Sequence, residues 1–537
     1  MTFLAITYNP LENIYSNCFD GLTNLIWLEL YNNMLKLIKL NTFDNLNSLK
    51  ELELYSNEIS SIDDNSFSGM SNLKNLILLH NNLTSINENT FIGLINLNML
   101  QLDNNHIISL HPNSFKSMGN LNELSLENNL LTHIDPALFN DLINLTKLSL
   151  LNNQIIALEP FTFKNLNNLD EFYIHSNQIT ELGADTLKGL FNLEYFGIDS
   201  NKLRVIDSHA FKDLNKLQSL FMKDNQIEFI GPYTFSNSTR LKKIELQNNN
   251  IEKINETAFS NCVNLESIDL NTNKLKFIHS KTFNHMVKLN YIDLSKNQLA
   301  DMDFGVFNNL VSLGALFLSY NRIESISPFS FVNLTNLEYF YLNDNKLISI
   351  EENILVNLPF VRYLYLNGNE LTTLKENVLR GMPNLKYLNL SDNKLTLISP
   401  RTFKELINLE ELYLDSNNLT ILNSNSFIGL NLTKKLYLNN NALNSIDPDV
   451  FNGLNSLTYL YLQYNRFTII NSKMFDKLNM LSYLFMSYNR IVSINRNSFA
   501  NLTDLINVHL DGNPISVLKP DIIYLLCPDK LRCTIFL

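Results

Sequence analysis

The sequence is poor in the residues that punctuate or staple a chain. It holds 15 glycines, 13 prolines, four cysteines and one tryptophan in 537 residues. Four cysteines (Cys18, Cys262, Cys527 and Cys533) are too few for a disulfide framework. So little glycine and proline excludes a collagen, a linker chain or a low-complexity tail. No apolar run is long enough to cross a bilayer as a helix. The start, Met1 to Ile6, has neither the basic residues nor the long apolar stretch of a signal peptide. Chemistry-bearing motifs are missing too. The nine histidines are scattered, no His/Cys spacing suits zinc, and there is no phosphate loop or nucleophile elbow. These absences predict a protein that is not an enzyme and carries no cofactor and no metal.

What fills the sequence is asparagine, 86 of 537 residues, alongside an ordinary hydrophobic share of 45%. The net charge of −12 is uneven: residues 1–268 hold 17 Lys+Arg against 30 Asp+Glu, and residues 269–537 hold 24 against 23. An acidic N-terminal half repels phosphate, so no nucleic-acid partner is expected.

The asparagines are in step. From Asn9, every 24th residue up to Asn513 is Asn, 22 in register with no insertion. The neighbours repeat as well: Leu49-x-x-Leu52-x-Leu54-x-x-Asn57-x-Ile59-x-x-Ile62 returns as Leu385-x-x-Leu388-x-Leu390-x-x-Asn393-x-Leu395-x-x-Ile398. Fourteen residues before the Asn sits Phe in 18 of 21 repeats, the exceptions being Leu187, Leu355 and Leu379. A period of this length marks stacked supersecondary units that cannot bury their apolar faces singly.

The alternating L-x-L segment predicts a short strand with one buried face, and the fixed period makes neighbouring strands parallel. The Asn predicts a buried amide that bonds its own turn and the next repeat's, since it carries both donor and acceptor. The Phe column predicts a stacked spine under the opposite loops. Proline three residues before Phe, as in Pro160 and Pro400, predicts a tight turn or a single helical turn there. At Asn431-Leu432-Thr433 the leucine comes one residue early while the count of 24 survives, which predicts a local kink and no boundary.

The repeat resembles the leucine-rich repeat family, and its length and Phe resemble the subclass found in Toll-like receptor ectodomains, Slit-type proteins, small leucine-rich proteoglycans and the acid-labile subunit of the insulin-like-growth-factor carrier complex. The resemblance covers about residues 1–518. It implies an α/β leucine-rich-repeat horseshoe solenoid, with a parallel sheet on the concave face and loops and short helical turns on the convex face. Residues 519–537 are then an incomplete or atypical C-terminal cap. The subclass carries a cysteine-rich N-terminal cap behind a signal peptide, yet Leu4-x-Ile6-x-x-Asn9 already belongs to a repeat. The expectation is therefore a chain that is part of a longer one, extracellular or at the cell surface; the alternative is a cytoplasmic protein capped otherwise. A receptor of this kind needs a membrane span beyond Leu537.

Cys527 and Cys533 are a candidate disulfide, and two free thiols are equally consistent; Cys262 stands in an apolar column and reads as core. Nine Asn-x-Ser/Thr sequons occur, at Asn82, Asn144, Asn237, Asn255, Asn333, Asn389, Asn418, Asn431 and Asn501. Composition alone gives about that many by chance; they are glycan sites if the chain is secreted.

Residues four and six before each Asn point away from the core. In the C-terminal half these positions hold Tyr339, Tyr341, Tyr363, Tyr365, Tyr387, Tyr413, Tyr437, Tyr459, Tyr461, Tyr483 and Phe485, with Tyr291 and Phe317 ahead of them. In the N-terminal half they hold Glu29, Glu51, Glu53, Glu123, Glu171 and Glu245. A continuous aromatic band predicts a surface for a protein ligand. The expected function is a non-enzymatic binding scaffold or receptor-type ectodomain; the alternative is a structural or adhesion protein acting through self-association.

Overall fold

A computed structural model describes residues 1–301, 305–352, 354–496, 498–515 and 534–536. The chain divides into two compact units, Met1–Ile268 and Asp269–Leu537. Each is a solenoid with parallel strands on one side and turns on the other.

In the first unit, three-residue strands begin with Phe3–Ala5 and recur every 24 residues to Lys243–Glu245. The registers are Phe3↔Trp27, Glu51↔Asn75 and Glu171↔Tyr195, so each residue pairs with the residue one period on. In the second unit the strands run from Tyr291–Asp293 to Asn507–His509 in the same way. There Thr534–Phe536 adds one more parallel strand, with Asn507 opposite Thr534.

The middle residue of each inner three-residue strand, such as Leu52 or Leu388, is buried while its neighbours face outward, and in the first and last strands Leu4 and Ile535 are half-buried. The strands are short because the chain must leave the sheet to turn. The residue before every ladder Asn makes that turn with a positive φ, from Tyr8 (55°) through Thr272 (53°) to Tyr488 (53°) and Gly512 (69°). This left-handed step swings the next residue inward, and the Asn follows it into the core.

The ladder Asn does what its two-sided amide suits it for. Asn57 Nδ2 donates to Leu54 O (3.0 Å), Tyr55 O (3.3 Å) and, one repeat back, Leu30 O (2.9 Å). Its Oδ1 accepts from Leu35 N–H at 3.2 Å. Asn321 repeats the pattern with Leu318, Ser319, Leu294 and Leu299. The neighbour bonded is the preceding repeat and not the next, because the Asn side chain turns in beneath the strand end and loop of the turn before it.

The Phe column forms the expected spine: Phe43 stacks on Phe67 at 5.9 Å, and Phe403 on Phe427 at 6.3 Å and 4°. Where Leu187 interrupts it, Phe172 from a strand centre reaches Phe163 (4.9 Å) and stacks on Phe196 (5.4 Å). Phe340 fills the space beside Phe331 in the same way, one repeat before Leu355.

Among the described residues the turn side holds no helix. Its backbone closes on three-residue bonds, such as Met70 N–H to Phe67 O (3.0 Å) and Leu73 N–H to Met70 O (3.0 Å). The helical turns implied by the resemblance are thus hydrogen-bonded turns. In the proline loops, Phe161 and Arg401 follow Pro with φ of 66° and 70°, and Thr162 and Thr402 donate N–H back to Glu159 and Ser399. Proline followed by a left-handed residue and closed by that bond is the pattern of a type II turn.

The slip near Asn431 is absorbed locally. Thr433 takes the buried leucine column and its Oγ1 donates to Leu409 O at 2.9 Å, while Leu432 lies exposed. Strands on both sides keep their register.

Candidate functional site

Because the central residue of each strand is buried, the residues flanking it stand side by side across the sheet. Parallel strands lie about 4.8 Å apart, which is near the stacking distance of aromatic rings. Identical residues at one position therefore form a ladder.

In the second unit the expected tyrosines do meet. Centroids follow one another from Tyr341 to Tyr365 (4.3 Å), Tyr387 (4.9 Å), Tyr413 (4.9 Å), Tyr437 (4.1 Å), Tyr461 (4.3 Å) and Phe485 (4.7 Å). Tyr291 and Phe317 extend the line at one end, His509 and Phe536 at the other. The last two were not foreseen: His509 shares the column, and Phe536 reaches it through a strand pairing outside the 24-residue step. Beside this line Tyr339 stacks on Tyr363 at 5.0 Å and Tyr459 on Tyr483 at 4.5 Å. At Asn389 the column lacks a ring, and Tyr387 on the same strand leans across to bridge Tyr365 and Tyr413.

The ladder has two textures. From Tyr413 to Phe485 the rings are nearly parallel, with angles of 8°, 4° and 1°. There each face is covered by its neighbours, and ring edges and hydroxyls form the surface. From Phe317 to Tyr387 the angles are 86°, 53° and 29°. These rings are tilted out of the stack, and a depression of about 410 Å³ opens among Phe317, Tyr341, Tyr365 and the polar row Ser319, Asn343 and Asn367.

Hydroxyls tie the rings together. Tyr413 Oη donates to Glu411 Oε2 at 2.6 Å, and Lys435 Nζ holds Glu411 Oε1 at 2.9 Å. Burial pushes the phenols of Tyr341 and Tyr461 up to about 12, with neighbouring tyrosines adding to it. Tyr413 is pushed further in the same direction, first by burial and then by its bond to Glu411. These rings are half-buried against one another, so they contribute to stability, where the sequence placed them outside the folded interior altogether.

The sheet face of the first unit is acidic and more engaged with itself. Trp27 Nε1 donates to Glu53 Oε1 (3.2 Å), Asn75 Nδ2 to Glu51 Oε1 (2.9 Å), and Lys147 lies between Glu123 (3.8 Å) and Glu171 (3.7 Å). Burial, then Glu29, raises the Glu53 carboxyl. Asp103 is raised by burial although it accepts from Ser125 and from Glu127 N–H. Among the described residues no group of three or more His, Cys, Asp or Glu is arranged to hold a metal ion, and no helix is long and apolar enough to cross a membrane.

Seven sequon asparagines, Asn82, Asn144, Asn237, Asn333, Asn418, Asn431 and Asn501, are exposed, and Asn255 and Asn389 are half-buried. Asn389 lies on the sheet face, its Oδ1 accepting from Ser391 N–H and Oγ. Cys262 is buried, its thiol pushed up to about 12 by that burial, and Cys18 is exposed. Cys527 and Cys533 lie outside the described residues.

The leucine-rich repeat model matches in overlapping segments from residue 1 to 107 and from 311 to 515. The BspA-type leucine-rich repeat region matches 96–218 and 204–321. No curated protein gives a match. Solved structures share the fold. The glycosylated Toll–Spatzle complex of Drosophila is 22% identical over 96% of this chain and 74% of that one, with a TM-score of 0.64. A second structure of the complex is 23% identical over 79% of this chain but 55% of that one, with a TM-score of 0.62. A leucine-rich repeat protein of Leptospira interrogans is 24% identical over 78% and 95%, with a TM-score of 0.55. Repeat period, buried asparagine ladder and family models agree: the chain belongs to the leucine-rich repeat family.

Proposed function

We propose that the protein is a non-enzymatic binding scaffold, extracellular or at the cell surface, which holds a protein ligand on the outward sheet face of its second unit. The observation that carries this reading is the unbroken line of aromatic rings from Tyr291 to Phe536. A folded surface rarely spends a contiguous band of tyrosine without a partner. Tyrosine brings large contact area with little rotamer entropy to lose, and its hydroxyl offers a polar handle. A solenoid of the same fold meets a protein in the Toll–Spatzle complex, which supports the choice of ligand class.

The test is a screen of the intact chain against purified extracellular proteins, with each hit measured again on two double replacements. Tyr341→Ala with Tyr365→Ala should weaken binding about thirtyfold or more, as loss of anchor residues does. Glu51→Gln with Glu53→Gln should mainly change association rate and salt dependence. Binding that survives the tyrosine pair and vanishes with the glutamate pair places the ligand on the first unit and overturns the reading. Reversible self-association in sedimentation, abolished by the tyrosine pair, would identify the ligand as a second copy of the chain.

A further inference from the structure

The tilted part of the ladder differs in kind from the stacked part. Phe317 meets Tyr341 at 86° with centroids 4.8 Å apart, and Tyr365 is turned 53° from Tyr341. At a right angle the edge of one ring points toward the other, and both rings, together with Tyr365, line a corner on the sheet face. The depression of about 410 Å³ lies in this corner, and Tyr320 closes it from the turn. An aromatic face presents the negative side of the ring quadrupole.

The polar wall has a defined charge. Ser319 Oγ donates to Asn343 Oδ1 (2.6 Å), and Asn343 Nδ2 donates to Asp344 Oδ2 (2.6 Å). The charge of Asp344 raises the Tyr320 phenol. The Asn343 amide holds the carboxylate at the edge of the depression. The next repeat leaves room for it: Gly368 stands where a Cβ would come within 2.5 Å of Asp344 Oδ1. The charged residues lining the depression are Asp344 and Lys296.

We infer that this corner is the anchor of the proposed sheet-face site and takes a cationic side chain, an arginine or lysine, presented by the protein ligand. Aromatic rings and a held carboxylate lining one depression are the arrangement that attracts an organic cation. Guanidinium is the better fit, because it is planar, weakly hydrated and able both to lie on a ring and to bond the carboxylate. Lys296 opposes the cation and tempers its affinity. The parallel rings from Tyr413 to Phe485 offer no free faces and act as a rib beside the anchor.

This inference rests on the sheet face being the ligand surface, and its test separates the two. The intact chain labelled with 3-fluorotyrosine is titrated by fluorine NMR with N-acetyl-argininamide and with N-acetyl-norleucinamide, a probe of similar length without the charge. The arginine probe should shift the Tyr341 and Tyr365 signals saturably and leave Tyr437 unmoved, and the norleucine probe should do neither. Asp344→Asn should weaken the arginine probe about two- to thirtyfold, and Lys296→Ala should strengthen it. Equal shifts from both probes, or affinity indifferent to Asp344→Asn and Lys296→Ala, overturn the inference. If a protein ligand still loses binding through Tyr341 and Tyr365 while the arginine probe is silent, the cationic anchor falls and the sheet-face reading stands. If ligand binding ignores every replacement on this face, the wider reading falls.

Discussion

The rings of Tyr413 and Tyr437 stack 4.1 Å apart and within 8° of parallel, on adjacent strands in register. Tyr461 continues the stack at 4.3 Å. A ring between two partners loses both when it is cut away, at about 0.5–1.5 kcal/mol each beyond its buried area. Tyr437→Ala is therefore predicted to lower stability by about 1–3 kcal/mol. A urea midpoint equal to wild type would show that the rib is decoration.

The asparagine ladder predicts two different outcomes at one position. Asn321→Ala leaves Leu294 O, Leu318 O and Leu299 N–H without their side-chain partner and should cost about 1–3 kcal/mol. Asn321→Asp should be worse at neutral pH, because a carboxylate replaces a donor that faces carbonyls. Burial and those carbonyls raise the folded-state pKa of such an Asp above its unfolded value. The neutral acid is then the tolerated form, so the variant should regain stability as pH falls toward the ordinary carboxylate range. Urea midpoints at pH 7 and pH 4 that rank the two variants identically would refute this.

The left-handed turn column predicts where the chain can be improved. Thr272 is β-branched and holds φ at 53°, which costs an ordinary residue about 1–2 kcal/mol. Thr272→Asn should raise stability by up to about 1 kcal/mol, since Asn tolerates this region. Gly368→Ala should lower it, because φ is +64° and the added methyl collides with Asp344. Thermal midpoints moving in the opposite directions count against the strain argument.

Leu187 and Phe172 are predicted to be coupled. Phe172 packs against Phe163 at the interruption that Leu187 makes in the spine. Leu187→Phe alone should overpack the site at about 1–3 kcal/mol. Adding Phe172→Leu should restore most of that. A double-mutant cycle with no interaction energy would mean the two sites are filled independently.

The half-buried phenols predict an alkaline transition. Tyr55, Tyr341 and Tyr461 have folded-state values of about 12, raised chiefly by burial, against about 10 when unfolded. Between these values the unfolded chain releases protons that the folded chain keeps. The stability these groups contribute is thus whole below pH 10 and lost as pH rises to about 12. Ultraviolet titration should show a late-ionising class of tyrosine that joins the early class in urea; one uniform transition near pH 10 in the folded protein contradicts the prediction.

The repeat, the strand positions and the roles of Asn and Phe were legible because one step of 24 residues brings each residue type back to the same environment. The eleven candidate aromatics were legible as a band for the same reason. What periodicity could not supply was orientation. Nothing in the column of residues says that Phe317 and Tyr341 stand at right angles while Tyr461 and Phe485 lie flat together. Nor does it say that Tyr387 crosses columns over Asn389, because that depends on the ring's rotamer. The left-handed column did leave a trace: Asn, Asp, Ser and Gly fill most of its positions, and tyrosines such as Tyr320 and Tyr464 obscured it. The added strand Thr534–Phe536 lies outside the period and had no signal of its own.

The bonds of the interior ladder asparagines Asn57 and Asn321 run to the same offsets, two, three, 22 and 27 residues back. Removing one full period from inside a unit leaves every such offset intact on either side of the cut. Loss or duplication of a whole turn is then a silent edit to the interior, and only the outward letters change. Such a chain can lengthen, shorten or rewrite its recognition face one line at a time, without renegotiating its core.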